Sequence, residues 1–213
     1  MKEKEYRSLI FKDLEKQVLD SISISLHDIA VEIVRTGFRC SGCGRCCNFS
    51  TGDNSVLLTY FDIDNLKKSG NINAIEPTVA EEDMFLADTE GNVHTFGWRL
   101  KRKTNGECIF LSEAGCTIYP FRPLLCRTYP FYITESKLEI SECKGEGEGR
   151  ILPLYHARRL ANKVLQRYII ELRDTMMTYR YFKEGPLFLV CQPVSDYKLI
   201  VHDSKGKWKF DDK

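Results

Sequence analysis

The sequence predicts an α+β fold: one domain with an irregular cysteine-rich core, short antiparallel strands, N-terminal helices and one long C-terminal helix. Helical periodicity is present before residue 36 and after residue 151. Between them, short apolar runs alternate with glycine and proline, which is typical of short strands and turns. We expect three parts of one domain, an N-terminal helical segment at 1–36, a cysteine-cluster region at 37–150, and the long helix with C-terminal strands at 151–213.

The first part of the chain has the pattern of two helices. Apolar residues recur every three or four positions from Tyr6 to about Arg35, as on one face of an amphipathic helix. The serine-containing stretch before residue 26 divides them, with Ser25 or Asp28 near the second N-terminus. Gly37 ends this helical region, and the cysteines begin at once.

Short elements follow. Thr59 and Asp62 have the spacing of a capping box, which predicts a helix that ends near Gly70. Residues 71–90 are irregular and acidic, with a turn of helix expected at 81–86. The strands are expected at residues 55–58, 93–100, 107–111, 131–134, 137–141, 187–190, 197–202 and 208–210.

A long helix is predicted from about Pro153 to Phe182. Proline suits the first turn of a helix, and Gly185 with Pro186 terminates it. An apolar stripe that includes Leu160 runs along the helix at steps of three and four residues. We therefore expect this helix to pack along the core.

Charge and hydropathy exclude several classes of partner. Lys plus Arg number 31 and Asp plus Glu number 30, so nothing points to nucleic acid or an anionic membrane. The sequence contains no apolar run of the ~20 residues that a membrane helix requires, and no secretory signal is recognised. We expect a cytoplasmic, reducing location, in which clustered cysteines favour metal or redox chemistry over disulfides.

Eight of the nine cysteines have the spacing of a metal-binding system. Four of them lie within eight residues, and Cys-x-x-Cys spacing lets a short turn bring two sulfurs to one ion. Thiolates select zinc, copper(I) or iron–sulfur clusters. The candidate ligands are Cys40, Cys43, Cys46, Cys47, Cys108, Cys116, Cys126 and Cys143.

The number of metal centres is inferred from ligand counting. Cys46 and Cys47 are adjacent, and neighbouring residues tend to project in different directions. Eight cysteines at four ligands per site then favour two nearby centres, with one centre and spare cysteines as the alternative. Four thiolates around zinc or an oxidised four-iron cluster leave negative charge, which Arg45, Arg122 and Arg127 are placed to offset. The alternative for each arginine is an ordinary surface role.

The order of these motifs resembles a known family. Cys40-x-x-Cys-x-x-Cys-Cys47 is followed by Cys108-Ile-Phe-Leu, Cys116-Thr-Ile-Tyr, a stretch from Arg122-Pro to Tyr129-Pro-Phe131, and Cys143. Over about residues 38–150 the chain is similar to the YkgJ-type CxxCxxCC cysteine-cluster family of zinc- or iron-chelating domains, which has flagellin lysine methylase-like relatives. The resemblance implies bound metal, with an iron–sulfur cluster as the favoured content of some members.

Three functions follow as hypotheses. The first is an iron–sulfur protein, with one or two clusters of the [4Fe-4S] type and two favoured, that has a redox or enzyme-accessory role with a protein partner. The second is a zinc-stabilised protein-interaction module, because four thiolates leave no open position for catalysis. The third is a protein N-methyltransferase-like enzyme, although no S-adenosylmethionine-binding loop is recognisable in the sequence.

Other motifs are given ordinary structural interpretations. Cys191 lies among apolar residues and is expected to be a buried core thiol. His156 is expected on a helix surface. The glycine-rich run at 145–149 is interpreted as a loop around Cys143 rather than a nucleotide site, because its glutamates would repel phosphate. The acidic group at 81–83 is expected to be solvated surface. Tyr119, Tyr129 and Phe131 are candidates to shield the centre from water.

Overall fold

The structure is a computed structural model that describes residues 3–48, 55–78, 85–147, 152–183, 185–191 and 197–210. The described α-helices are α1 (Glu3–Ile22), α2 (Leu26–Arg35), α3 (Tyr60–Lys68), α4 (Leu124–Thr128) and α5 (Leu154–Tyr181). None of these helices combines the length and the apolar character that crossing a lipid bilayer demands. The expected acidic group at 81–83 lies outside the described residues.

The described strands are short and belong to several small sheets. They are β1 (Leu57–Leu58), β2 (Ile75–Pro77), β3 (Phe85–Ala87), β4 (Val93–Phe96), β5 (Trp98–Leu100), β6 (Leu111–Ser112), β7 (Gly115–Cys116), β8 (Phe131–Thr134), β9 (Lys137–Ile140), β10 (Phe188–Val190), β11 (Leu199–Asp203) and β12 (Gly206–Phe210). One sheet has the order β1-β5-β2, and a second has the order β10-β3-β4-β11-β12. Strands β6–β7 and β8–β9 form separate pairs.

This architecture confirms the α+β class. Strand β4 pairs with β11 in parallel, whereas the other described pairs are antiparallel, so the expectation of antiparallel strands holds for all but this pair. Parallel neighbours need a long connection between them, and here residues 97–198, which include α5, supply it.

One core is formed by α1, α2 and α5 packed on the hairpin β8–β9. Ile33, Val164 and Phe131 are fully buried there. The side chain of Ser25 accepts a hydrogen bond from the Asp28 backbone N–H and caps α2 at the residue that the sequence indicated. The buried stripe of α1 is narrower than its pattern suggested, because Leu9 and Leu19 are exposed.

The second core lies beside the cysteines. Leu58, Leu66 and Leu100 are buried in it, and Cys108 and Cys126 pack against it while partly exposed. Strands β1, β2 and β5, helix α3 and the loops after residue 101 contribute to this core. The cysteine loops therefore pack on one side against an apolar core.

The hairpin β8–β9 agrees with its predicted position. The connecting residues Glu135 and Ser136 have φ values of 50° and 64°. Positive φ at both central residues defines the type I′ turn, whose twist matches that of paired strands.

Several elements differ from the sequence-based expectation. The strand expected at 93–100 is two strands in different sheets, because Gly97 has a φ of +84° and redirects the chain. Residues 107–110 do not form a strand, since the β-pairing of Cys108 is an isolated bridge to Arg102, and Leu111 already begins β6. Residues 85–87 are β3 rather than part of a helical turn, and α4 is a short helix that the sequence pattern did not predict.

A buried hydrogen-bonded chain connects β4 to β11. His94 Nδ1 lies 2.8 Å from His202 Nε2, and His94 Nε2 lies 3.0 Å from Asp88 Oδ2. Both histidines are less than one-twentieth exposed. The polar ring atoms of His94 are thus satisfied inside the parallel strand pair, which explains how the sheet tolerates buried imidazoles.

Asp62 joins α3 to α4. Its carboxylate accepts hydrogen bonds from the Thr59 backbone N–H at 3.1 Å and the Thr59 hydroxyl at 2.8 Å, completing the predicted capping box. The other oxygen accepts from the Leu124 backbone N–H, at the start of α4, at 2.8 Å. Burial raises the pKa of Asp62, and these hydrogen bonds oppose that rise. One side chain therefore fixes the helix that carries Cys126.

We expect Asp62→Ala to destabilise the fold by about 2 kcal/mol, because it removes a helix cap and leaves a buried N–H without its acceptor. Urea unfolding followed by circular dichroism measures this change. Asp64→Ala, which removes an exposed carboxylate from the same helix, is the matched control. Equal stabilities of the two variants would contradict this role of Asp62.

Candidate metal centre

The first four cysteines lie on an irregular loop that ends in a single tight turn. Residues Arg45–Cys47 form one 3₁₀ turn, and the Cys47 backbone N–H donates to the Gly44 carbonyl at 2.8 Å. Gly44 has a φ of +69°, a conformation in which glycine is favoured. A Cβ at this position would also lie 3.4 Å from the Leu111 side chain. Glycine thus permits the loop to fold closely over the β6–β7 segment.

Backbone hydrogen bonds tie this loop to the distant cysteines. The Cys108 N–H donates to the Cys47 carbonyl at 2.8 Å, and the Arg39 N–H donates to the Gly145 carbonyl at 2.8 Å. The Gly147 N–H donates to Thr36 at 3.1 Å. Segments that lie about 60 to 110 residues apart in the sequence are therefore adjacent in space.

All eight candidate cysteines line two adjoining cavities, which we name the inner and the outer cysteine cavity. The inner cavity has a volume of about 330 Å³ and is bordered by Cys46, Cys47, Cys108, Cys116 and Cys126. The outer cavity has a volume of about 480 Å³ and is bordered by Cys40, Cys43, Cys46, Cys47, Cys116, Cys126 and Cys143. The fold thus brings together every residue of the predicted set, and four of them border both cavities.

The thiols surround these cavities without meeting at one point. Among the described residues, no three Cys, His, Asp or Glu side chains are already arranged to hold a single ion. The Cys46 and Cys47 sulfurs, expected to project apart, lie 3.9 Å from each other. Ligation by individual cysteines therefore stays a prediction. The donor set itself, at least four thiols around each cavity, matches the ligand number of a zinc or iron–sulfur site.

The two adjacent thiols have opposite shifts in pKa. A hydrogen bond from Cys47 is the largest effect on Cys46 and lowers its pKa to about 6, although desolvation opposes this. The same hydrogen bond raises the pKa of Cys47, because ionising Cys47 would remove the donor. Cys46 is therefore the thiol of this pair that ionises first.

Electrostatic repulsion divides the remaining thiols into two groups. Desolvation raises the pKa of Cys126, and negative charge on Cys108, Cys46 and Cys116 raises it further. A different set of cysteines changes the pKa of Cys143. Desolvation again raises its pKa, and the additional repulsion comes from Cys40, Cys43 and Cys46. Cys46 belongs to both groups and so lies at the boundary between the cavities.

Two of the three arginines proposed from sequence have identifiable roles. Arg122 stacks on the Tyr119 ring at 3.6 Å, and its charge lowers the pKa of both Cys46 and Cys126. Arg127 donates to the Arg122 carbonyl and, at 3.3 Å, to the Pro120 carbonyl, so it braces the loop before Cys126. Arg45 borders the outer cavity.

Two further arginines near the thiols were not assigned from sequence. Arg102 forms an isolated backbone β-bridge with Cys108. Desolvation raises the pKa of Cys108, and the Arg102 charge opposes that rise. Arg167 on α5 is 8% exposed and borders the inner cavity. Arg167 lies three residues after Val164 and therefore on the same, buried face of α5. This spacing in the sequence could have indicated that Arg167 is buried.

The aromatic residues expected to exclude water do so unequally. Phe131 is fully buried, and it borders the inner cavity together with Tyr129. The Tyr129 hydroxyl donates to the Glu142 carbonyl. Tyr119 is 59% exposed, so it does not seal the centre.

The predictions for Cys191, His156 and the glycine-rich run agree with the structure to different degrees. Cys191 is exposed rather than a buried core thiol, because the strand before it, β10, is an exposed sheet edge. His156 is exposed on α5, as expected. The Gly145 N–H donates to the Cys143 sulfur at 3.4 Å, so the described part of the glycine-rich run does wrap this cysteine. Its last residues, 148 and 149, lie outside the described residues.

The fold and the eight thiols that border two adjoining cavities define a cysteine-cluster protein. Residues 39–144, about half of the 213-residue chain, match the model of the family described as "CxxCxxCC: putative zinc- or iron-chelating domain". This segment of the chain belongs to that family, and metal binding by the protein is accordingly supported. No curated protein and no solved structure is significantly similar to the chain.

We expect Gly145→Ala to open the contact between the first and last cysteines, because the added Cβ would lie 2.3 Å from the Arg39 carbonyl oxygen. The result should be a loss of bound metal per chain, measured by elemental analysis. Glu146→Ala, at the exposed neighbouring position, is the control and should retain the metal. Full metal content in Gly145→Ala would contradict the importance of this close approach.

Proposed function

We propose that the protein binds iron–sulfur clusters of the [4Fe-4S] type through the eight cysteines and serves a redox or enzyme-accessory role. The observation that carries this proposal is the arrangement of the thiols around two adjoining cavities. When bound, such clusters supply one-electron transfer. The protein's own contribution is the thiol ligands, the partial exclusion of water and the nearby arginine charges.

The spread of the thiols supports a cluster over a single ion. Zinc requires four sulfurs at ~2.3 Å from one point, whereas a four-iron cluster takes one thiolate at each of its separated irons. The cysteines border volumes of about 330 and 480 Å³ and do not converge on an ion-sized point in the described residues. This favours the larger inorganic group.

Two centres are favoured over one. Cys143 is grouped with Cys40 and Cys43, whereas Cys126 is grouped with Cys108 and Cys116. Each group supplies three thiols, and the adjacent pair Cys46 and Cys47 supplies the fourth for each. We propose this division because it uses all eight thiols with four per centre.

A zinc-stabilised interaction module is the second candidate. Tyr119 and Phe121 are 59% and 50% exposed, in the segment between two of the cysteines. Exposed aromatic side chains are enriched at protein–protein contacts, which favours a protein partner at this face. A redox partner of an iron–sulfur protein would use the same face.

Because all nine cysteines are free thiols, we also propose a cytoplasmic location.

Full-length protein purified without oxygen distinguishes the two metals. We expect iron with acid-labile sulfide and a broad visible absorption, and each of these should fall to about half in Cys126→Ser, which removes one ligand of one centre. Cys191→Ser is the matched control, since Cys191 borders neither cysteine cavity. Colourless protein that carries zinc but no sulfide would replace the first candidate with the second.

The division into two centres predicts the metal content of single and double variants. Cys143→Ser and Cys126→Ser should each retain about half of the iron of the unaltered protein, because four thiolates hold each cluster. The double variant should retain none. If either single substitution removed all of the iron while the fold persisted by circular dichroism, one shared centre would be the correct description.

A further inference from the structure

A third cavity lies away from the cysteines. Its volume is about 510 Å³, within the range of small-molecule sites, and it is a partly open cleft bordered by β1, β5 and the C-terminal half of α5. None of the cysteines borders it. We name it the α5 cavity. Its apolar wall consists of Leu57, Leu58, Phe96, Trp98 and Leu125.

The polar groups of the α5 cavity are mainly hydrogen-bond acceptors. Four threonines line it, and each hydroxyl donates its proton to a protein oxygen: Thr59 to Asp62 at 2.8 Å, Thr78 to Phe96 at 2.6 Å, Thr175 to Glu171 at 2.9 Å and Thr178 to Asp174 at 2.9 Å. The Trp98 indole N–H likewise donates to Asp203 at 2.8 Å. A hydroxyl whose proton is engaged presents only lone pairs, so these groups suit a ligand that donates hydrogen bonds.

Among the residues that the structure describes, Glu171 is the charged side chain that borders the α5 cavity, and it is a carboxylate. Arg167 contacts it, with Nε 3.0 Å from Oε1. Burial raises the pKa of Glu171, the Arg167 charge lowers it, and negative charge on Asp62 raises it. Asp62 also raises the pKa of Asp174, one turn along α5 from Glu171. The carboxylates near this cavity therefore repel one another, and a cation bound there would reduce that repulsion.

Aromatic rings complete the lining. Phe96, Trp98 and Tyr179 border the cavity, and the negative face of an aromatic ring attracts a cation. An anion would meet a carboxylate and four oxygen acceptors, so the lining disfavours it. A neutral apolar ligand would leave the cavity oxygens without a donor.

We propose that the α5 cavity binds an organic ammonium ion that carries a short alkyl chain. The ammonium N–H groups donate to the Glu171 carboxylate and the threonine oxygens, and the alkyl chain packs on the leucine wall. The aromatic rings add cation–π attraction. This site goes beyond the proposed metal-binding function and does not depend on which metal the cysteines hold.

Calorimetric titration of the metal-loaded full-length protein with butylammonium chloride tests the proposal. Saturable binding is expected, whereas sodium butyrate and butan-1-ol, which have the same chain with the opposite charge or none, should not bind measurably. Glu171→Gln should weaken butylammonium binding about tenfold, because a charge-assisted hydrogen bond is lost. Glu139→Gln, an exposed site on β9, is the matched control and should bind as the unaltered protein does.

Glu171→Gln also removes the ion-pair partner of Arg167 and could therefore change the stability of the fold. A second substitution, which leaves this ion pair intact, tests the cavity independently. Tyr179→Leu should weaken butylammonium binding about threefold through the loss of one ring face, whereas Tyr181→Leu, outside the cavity on the same helix, should not. Metal content measured on the same samples separates this outcome from any failure at the cysteines. Absence of saturable binding, equal binding of butan-1-ol, or unchanged affinity in Tyr179→Leu would overturn the proposal.

Discussion

The accumulation of thiols in a confined space is the constraint on which the rest of this structure depends. Desolvation is the largest cause of the raised pKa of Cys126 and Cys143, and negative charge on neighbouring cysteines raises it further. Several thiolates can be present together only where positive charge offsets them, whether from a metal or from side chains. Arg122 and Arg102 approach the thiols from two different loops, and this pattern follows from that requirement.

Helix α5 gives the cysteine loops a fixed support. It packs on α1 and α2 along one side and on α4 and β8 along another. At that contact Arg167 donates to the Thr128 hydroxyl at 2.5 Å and to the Phe131 carbonyl at 3.3 Å. These acceptors lie shortly after Cys126, so a rigid helix, rather than the loops alone, positions this end of the cysteine region. A buried arginine bound in this way also places its charge at the inner cavity.

The sequence predicted those features that depend on local interactions. The Ser25 cap and the capping box of Thr59 and Asp62 involve residues three apart, and their side-chain preferences are strong. The grouping of the eight cysteines in space was also predicted, because their spacing in the sequence is typical of one metal-binding system.

Features that depend on distant contacts were not predictable in this way. The strand predicted at 93–100 is divided at Gly97 because its two halves pair with different sheets, and this pairing depends on residues distant in the sequence. The approach of Arg102 to Cys108, and the parallel pairing of β4 with β11, likewise require tertiary structure. Cys191 was misjudged because apolar neighbours normally indicate burial, whereas here they lie on an exposed edge strand.

The inner cysteine cavity and the α5 cavity share structural elements. Leu125, which precedes Cys126, borders both of them, and the Arg167–Glu171 pair on α5 has one partner at each. The ammonium ion proposed for the α5 cavity would share the Glu171 carboxylate with Arg167, so this ion pair joins the two cavities. The physical connection is short, since the two side chains are one helical turn apart.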